Sequence, residues 1–436
     1  MIDNNIFHNK KVVFHTLGCK LNFAETSAIG KKMSEEGFVK VRAGEQADVC
    51  VINTCSVTDT ADHKCRQAIN RLNRQHPNAL MVVTGCYAQL KPDEISKISG
   101  VDLVLGSNEK FSILEFLRDI DTEKPTEVHT TKINQIKEFK PSCSSDDRTR
   151  YFLKVQDGCD YYCTYCTIPF ARGRSRSASV AETIERAKDA IDLGAKEIVL
   201  TGVNIGDFGV HTNENFFDLV KVLDNIDKDV RFRISSIEPN LLTDEIIEFV
   251  KSSKRIMPHF HIPLQSGTNE VLTLMKRKYN RELFAQKVEL IKRLMPHAFI
   301  GVDVIVGVRG ETAELFEESC KFIDSLDISQ LHVFTYSERA GTKMLDIEQS
   351  TPLAERKKRS DILHLLSDKK TKKFYESQKG KTYPVLWESR QQGDKMVGFT
   401  SNYVQVECKY DKKLVNVLET ITLGDWNEEK SALIKA

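Results

Sequence analysis

The sequence predicts an α/β protein in three parts. The first is a three-layer N-terminal α/β domain on a parallel sheet, the second a central partial (β/α)6 barrel, the third a small all-β barrel. Three observations carry this. Apolar β-rich runs alternate with helical-period stretches up to about residue 118, the alternation resumes at residue 151 for a longer span, and the tail carries β-rich runs with no helix between them. At 436 residues the chain is also too long for one ordinary core.

In the first part the predicted strands are 11–17, 48–53, 80–84 and 101–105, with helices at 24–36, 58–75, 92–98 and 109–117. Between 121 and 149 the pattern gives way to crowded Ser, Thr, Asp and Pro, which predicts a linker. Strands follow at 151–156, 197–201, 231–235, 259–263, 300–306 and 330–334, and six βα units of this size suit a full or partial parallel barrel. A Lys- and Arg-rich helix is predicted over 352–376. The tail strands are 383–388, 395–400, 403–409 and 414–423, the pattern of a small barrel. The domains so predicted are 9–120, 150–374 and 375–436, with 121–149 linking the first two.

Composition excludes more than it assigns. Sixty-three basic and 62 acidic residues leave a net charge of +1, so any nucleic-acid footprint must be local. No apolar run reaches the roughly 18 residues a membrane span needs. The opening segment lacks the apolar core of a secretory signal, so the expected location is the cytoplasm. Disulfides rarely persist there, and the eleven cysteines are then core residues, metal ligands or nucleophiles.

Three of them form the strongest signal, Cys159-Asp160-Tyr161-Tyr162-Cys163-Thr164-Tyr165-Cys166. Three thiolates so close can hold one face of a compact metal centre. A cubane iron–sulfur cluster on three cysteines keeps one iron open for a reactant, whereas the competing occupant, zinc, wants a fourth ligand that no nearby cysteine supplies. The triplet follows the first barrel strand, on the rim where parallel barrels carry active sites. Cys19, Cys55 and Cys86 follow three successive N-terminal strands, where ligands of open parallel sheets gather. Geometry alone leaves a metal site and ordinary core chemistry evenly matched for these three. Cys50, Cys65, Cys143, Cys320 and Cys408 read as packing residues.

The Cys159–Cys166 motif, with Tyr165 before its last cysteine, resembles the signature of the radical S-adenosylmethionine superfamily. Gly18-Cys19-Lys20, Asn53-Thr54-Cys55 and Gly85-Cys86 resemble the three N-terminal motifs of the methylthiotransferase family, whose domain order matches nearly the whole chain. The resemblance implies two [4Fe–4S] clusters, a radical cluster on Cys159, Cys163 and Cys166 and an auxiliary one on Cys19, Cys55 and Cys86. It implies S-adenosylmethionine on the open iron, a radical-SAM barrel and a C-terminal TRAM barrel. It further implies cofactor contacts at Tyr165, at Gly202 close to the amino group, at Ser236 and Glu238 on the ribose side, and at Val306 and Gly307 on the adenine side. Gln265 is expected to touch cofactor or substrate.

The implied partners are a tRNA anticodon stem-loop and an electron donor such as flavodoxin or ferredoxin. Leu17-Gly18-Cys19-Lys20-Leu21-Asn22 resembles the subgroup acting on N6-threonylcarbamoyladenosine. An isopentenyladenosine or a ribosomal-protein aspartate is the alternative acceptor, and a zinc-stabilised RNA-binding protein the alternative without chemistry. Arg172 and Arg174 near the cluster loop, and Arg356, Lys357 and Lys370 on the basic helix, are the RNA-contact candidates. Tyr383, Trp387, Phe399 and Tyr403 could stack on bases or fill the tail's own core. Arg309 and Thr335 stand where the family pattern has proline.

Overall fold

A computed structural model describes residues 7–42, 44–120, 124–144 and 149–436. The N-terminal domain is a six-stranded, all-parallel sheet of β1 (Lys11–Thr16), β2 (Val39–Lys40), β3 (Val49–Thr54), β4 (Leu80–Gly85), β5 (Leu103–Leu105) and β6 (Glu127–His129). Its order is β2-β1-β3-β4-β5-β6. Every residue of β3 is buried, as a central strand covered on both faces requires. Thr58 caps the helix Asp59–Gln75 by accepting from the Ala61 N–H, and Asp59 and Asp62 in its first turn favour the same helix end.

The central domain is an open arc rather than a closed barrel. Strands β7 (Ser142–Cys143), β8 (Arg150–Lys154), β11 (Glu197–Thr201) and β12 (Arg231–Ile234) form one sheet; β13 (His259–Gln265), β14 (Phe299–Val306) and β15 (Gln330–Thr335) form the other. Single bridges at Phe232–Ile256 and Ser236–His261 join the two. A short hairpin of β9 (Gln156–Asp157) and β10 (Arg176–Ser177) follows β8. Alternate residues such as Leu153, Ile198, Ile234, Ile262 and Val302 pack against the surrounding helices in one large core. The opposite, lumenal face carries Arg150, Glu197, Arg233, His261 and Asp303, and is polar.

The tail closes into a barrel of β16 (Thr382–Gln392), β17 (Lys395–Thr400), β18 (Gln405–Lys409), β19 (Leu418–Trp426) and β20 (Leu433–Lys435). It sits against the N-terminal ends of the arc's strands. Arg231 and Arg233, paired with Glu197, donate to the carbonyls of Pro384, Phe399, Thr400 and Ser401. The Tyr403 ring lies 4.6 Å from that of His259, and the Arg150 guanidinium lies 4.5 Å from the Phe399 ring. Phe399 and Tyr403 thus serve a domain interface and Trp387 is fully buried, which corrects the stacking role considered for them. Tyr383 donates to Gln378.

The stretch predicted as a linker is partly strand, with β6 extending one sheet and β7 pairing antiparallel with β8 in the other. Positions 121–123 and 145–148 of it, like residues 1–6, lie outside the described residues. Strands β2 and β20 are additions to the predicted set.

The N-terminal domain docks on the arc through its first helix, Lys20–Glu35. Ala24, with Phe23 against it, packs on Phe152 and Val199 at the lumenal face of β8 and β11. The next residue, the fully buried Glu25, meets Lys110 at 2.6 Å, Lys154 at 2.9 Å and Arg172 at 3.0 Å, and Arg172 also meets Asp157 at 3.0 Å. Burial alone would raise the Glu25 carboxyl, but the three cations overcome it and hold it well below the usual range; Asp157 behaves alike. Such a contribution is complete above the ordinary carboxylate pKa and fades as pH falls below it. Arg172→Met is therefore expected to lower unfolding stability at pH 7 by about 3–5 kcal/mol. By denaturant titration the deficit should shrink below about pH 4; equal deficits at both pH values would contradict the assignment.

Candidate active site between two cysteine triads

The two triads occupy facing loops. Cys19, Cys55 and Cys86 stand at the carboxyl ends of β1, β3 and β4, around the point where the strand order reverses. Two glycines bring them together. Gly18, at φ +103°, lies so close to Cys55 that a Cβ there would come 2.8 Å from the Cys55 Cβ and 3.1 Å from its Sγ. Gly85, at φ +100°, would with a Cβ strike the Thr54 carbonyl. Asn22 donates to the Leu17 and Thr54 carbonyls, tying the Cys19 and Cys55 loops together.

Cys19 is exposed, Cys55 half-buried and Cys86 buried. Burial, reinforced by Cys86, pushes the Cys55 thiol up to about 12. Burial also raises Cys86, with the Arg172 guanidinium acting against it. Thiols in this state hold their protons until a cation replaces them, which couples metal binding to proton release. Cys19 is the N-cap of the helix starting at Lys20, which has no side-chain cap bond and no acid in its first turn.

The second triad lies in the loop after β8 and β9. Its Cys163 Sγ accepts from Arg277 at 3.0 Å, and Cys166 Sγ from the Ile168 N–H at 3.5 Å. Burial, with Cys163 adding to it, pushes Cys166 up to about 12. Short helices begin at Cys86 and just after Cys166, and they pack on one another. Thr167 donates to the Ser56 carbonyl at 3.5 Å, and Arg339 donates to Ser56 Oγ at 2.7 Å. Residues next to Cys55 and Cys166 are thus in contact across the domain boundary.

Neither triad suits one small ion. Tetrahedral zinc at 2.3 Å from its sulfurs would set them about 3.8 Å apart. Among the described residues the only three-ligand group with all donor atoms within 4.8 Å is His261, Asp303 and His332. Wider sulfur spacing suits a polynuclear cluster. Three buried oxygens that lack partners among the described residues, Asn204 Oδ1, Ser235 Oγ and Gln265 Oε1, lie at or just after the ends of three successive strands on the same rim. They are acceptors of the kind an amino-acid and nucleoside cofactor needs, so the donor set fits both a cluster and S-adenosylmethionine.

The expected cofactor residues fall on this rim. Gly202 leaves the space that Gln156 fills, and Gln156 Oε1 accepts from the Val203 and Asn204 N–H groups at 2.9 Å. Ser236 bridges to His261. Gln265 adopts φ +67°, a left-handed conformation rare outside glycine. Val306 is buried, and the Gly307 N–H donates to Glu311 at 2.6 Å. Glu238 is ion-paired to Arg277, which also lies 3.4 Å from the Tyr165 hydroxyl. Arg277 was not among the sequence candidates. Its only signal is the run Lys276-Arg277-Lys278, which reads as a solvated charge patch.

Three RNA-contact candidates are corrected. Arg172 is consumed by the Glu25 network. Arg356 donates to the Thr351 and Tyr336 carbonyls and Lys370 to the Asp324 and Leu326 carbonyls; both are buried. Arg174 and Lys357 are exposed, Arg174 beside a groove of about 410 Å³ shared with Tyr162 and Lys137. Arg309 pairs with Glu338 and donates to the Ile347 carbonyl, bracing its loop as proline would. Thr335 is an exposed last residue of β15.

Comparisons with known proteins agree with this geometry. The Radical SAM superfamily model matches residues 153–323, and that of uncharacterized protein family UPF0004 matches residues 11–106. Threonylcarbamoyladenosine tRNA methylthiotransferase MtaB of Bacillus subtilis is 39% identical over 94% of this chain and 93% of its own. The Aquifex aeolicus protein of the same name is 37% identical over 94% and 100%. The tRNA-2-methylthio-N(6)-dimethylallyladenosine synthase of Desulfitobacterium hafniense is 28% identical over 96% of each. The radical S-adenosylmethionine methyltransferase TsrM of Kitasatospora setae shares the fold, with TM-score 0.55 at 13% identity over 75% of this chain and 73% of that one.

Fold and site therefore define a radical S-adenosylmethionine enzyme, a class that works with a [4Fe–4S] cluster and S-adenosylmethionine. The chain belongs to the methylthiotransferase family of that class, in the branch of its MtaB relatives. Among the described residues no helix is long and apolar enough to cross a membrane.

Burial raises the Glu238 carboxyl and Arg277 opposes it. Arg277→Met should push that carboxyl further toward its neutral form and reduce 5′-deoxyadenosine formation at least about 10-fold, as expected where a buried ion pair loses one partner. Unchanged cleavage with unchanged iron content would remove Arg277 from the site.

Proposed function

We propose that this enzyme adds a methylthio group to C2 of N6-threonylcarbamoyladenosine beside the anticodon of tRNA, using two clusters. The observation carrying this reading is the facing of the two triads through Thr167 and Ser56. The acceptor follows the names of the relatives with the higher identities. Dimethylallyladenosine is the second reading, from the 28%-identical relative.

On this reading Cys159, Cys163 and Cys166 hold the radical cluster and Cys19, Cys55 and Cys86 the auxiliary one. When bound to the first, S-adenosylmethionine supplies a 5′-deoxyadenosyl radical. The chain's own residues position the reactants. Arg277 neutralises the Cys163 thiolate and orients Glu238 toward the cofactor's ribose side, while Gly202 and Val306-Gly307 allow close backbone approach. Arg172 and Lys110 face Cys86 and offset the negative charge of the auxiliary thiolates. The acceptor base enters between the loops, from the rim that the C-terminal barrel leaves open. An electron donor of flavodoxin or ferredoxin type supplies the reducing equivalents, and the exposed Lys357, Lys358, Lys372 and Lys373 offer phosphate contacts.

The test is anaerobic reconstitution followed by iron and sulfide analysis and nucleoside analysis of incubated tRNA. About eight irons per chain, the content of two [4Fe–4S] clusters, with a 2-methylthio derivative of threonylcarbamoyladenosine, is the expected result. Zinc in place of iron would overturn it. Cys163→Ala should abolish 5′-deoxyadenosine formation, whereas Cys55→Ala should retain it and lose the methylthio product. Full product from the Cys55 variant would contradict the auxiliary role.

A further inference from the structure

The lumen of the arc holds a polar group that neither triad uses. On β13, β14 and β15 the residues Ile262, Val302, Val304, Leu331 and Val333 pack into the helix-side core. His261, Gly301, Asp303, His332 and Phe334 consequently face the lumen. His261 is in register with Gly301 and Asp303 with His332. Gly301 lies beside that imidazole, and a Cβ on it would reach His332 Nε2 at 3.4 Å.

His261 Nε2 lies 2.7 Å from Asp303 Oδ1, and the two histidine rings are 5.0 Å apart. The single carboxylate of the group bonds to His261 and lies within 4.8 Å of a His332 nitrogen. The His332 nitrogens have no hydrogen-bond partner among the described residues. Phe334, two residues nearer the rim on the same face, is 48% exposed and also lacks a ring partner among the described residues.

A cation reaches this lumen from the other domain. Lys20 follows Cys19 and begins the helix whose Phe23 and Ala24 pack on Phe152 and Val199 inside the mouth of the arc. Lys20 is exposed and has no ion-pair partner among the described residues. Burial holds the His332 imidazole below its usual value; the charges of His261 and Lys20 act in the same direction, and the Asp303 carboxylate opposes them. One ammonium and two imidazoles thus share a space with a single carboxylate, whose hydrogen bond goes to His261. An incoming anion would relieve this imbalance.

We propose that Lys20 and His332 form a carboxylate subsite that selects an acceptor base carrying an anionic amino-acid side chain. The His261–Asp303 pair fixes the wall beside His332, and Phe334 offers a face to the base. The inference rests on the proposed function and deepens it, because a carbamoyl-threonine on the adenine ends in a carboxylate. A dimethylallyl group is hydrocarbon, and in this lumen it would leave Lys20 and His332 desolvated without a partner.

The test uses reconstituted full-length protein and two anticodon stem-loop RNAs of one sequence. One carries N6-threonylcarbamoyladenosine, the other its neutral threonine-amide counterpart. The wild type should prefer the acid by about 10-fold or more in kcat/KM, a discrimination of the kind a polar subsite gives. Lys20→Gln and His332→Gln should each erase that preference through KM for the acid alone, with iron content as the folding control, and Lys20→Arg should restore it. A wild type that methylthiolates acid and amide equally well would overturn the subsite and leave the proposed function standing. Product from neither RNA would overturn the proposed function and the subsite with it. Stoichiometric zinc that is lost from His332→Gln would also overturn the subsite, making the group a cation site.

Discussion

A carboxylate buried between two domains, Glu25, sets the geometry on which everything else depends. Its three cations come from three places: Lys110 from the N-terminal domain, Lys154 from the strand leading to the radical-site loop, and Arg172 from the helix following that loop. None can leave without stranding a charge in a dry interface, so the two domains have one docking position at low energy. The same cations serve the chemistry. Arg172 and Lys110 both oppose the rise of the Cys86 thiol, so the clamp supplies positive potential at that cysteine.

The opposite end of the arc is treated differently. There Glu197 gathers Arg231 and Arg233, which reach on to carbonyls of the C-terminal barrel, and Tyr403 covers the floor of the lumen. The lumen is closed below and bounded at its mouth by the helix Lys20–Glu35. The polar lumenal wall thus bounds a chamber beside two cysteine-bearing loops.

Much of this is legible in the sequence, for physical reasons. Parallel strands buried on both faces are continuous apolar runs, so β3, β4, β11 and β14 announce themselves, and six cysteines at strand ends or at tight spacing mark the site. What is not legible depends on partners distant in sequence. Arg172 looks like a phosphate ligand until Glu25 is placed beside it. Arg356 and Lys370 look like a basic face because their acceptors are carbonyls, which leave no mark on composition. Strands β6 and β7 are two or three residues long and polar, so they resemble linker. Arg277 hides in a charge run, and Lys20 gains meaning only once its helix is seated in the arc.

The central claim is that two iron–sulfur clusters face one another across a single chamber. Electron paramagnetic resonance of the anaerobically reduced protein tests it most directly. Two paramagnets held on facing loops should broaden and relax one another. The wild-type spectrum is predicted to differ from the sum of the Cys55→Ala and Cys163→Ala spectra. A wild-type spectrum that equals that sum, with full iron occupancy, would place the clusters too far apart to share a substrate and would contradict the account.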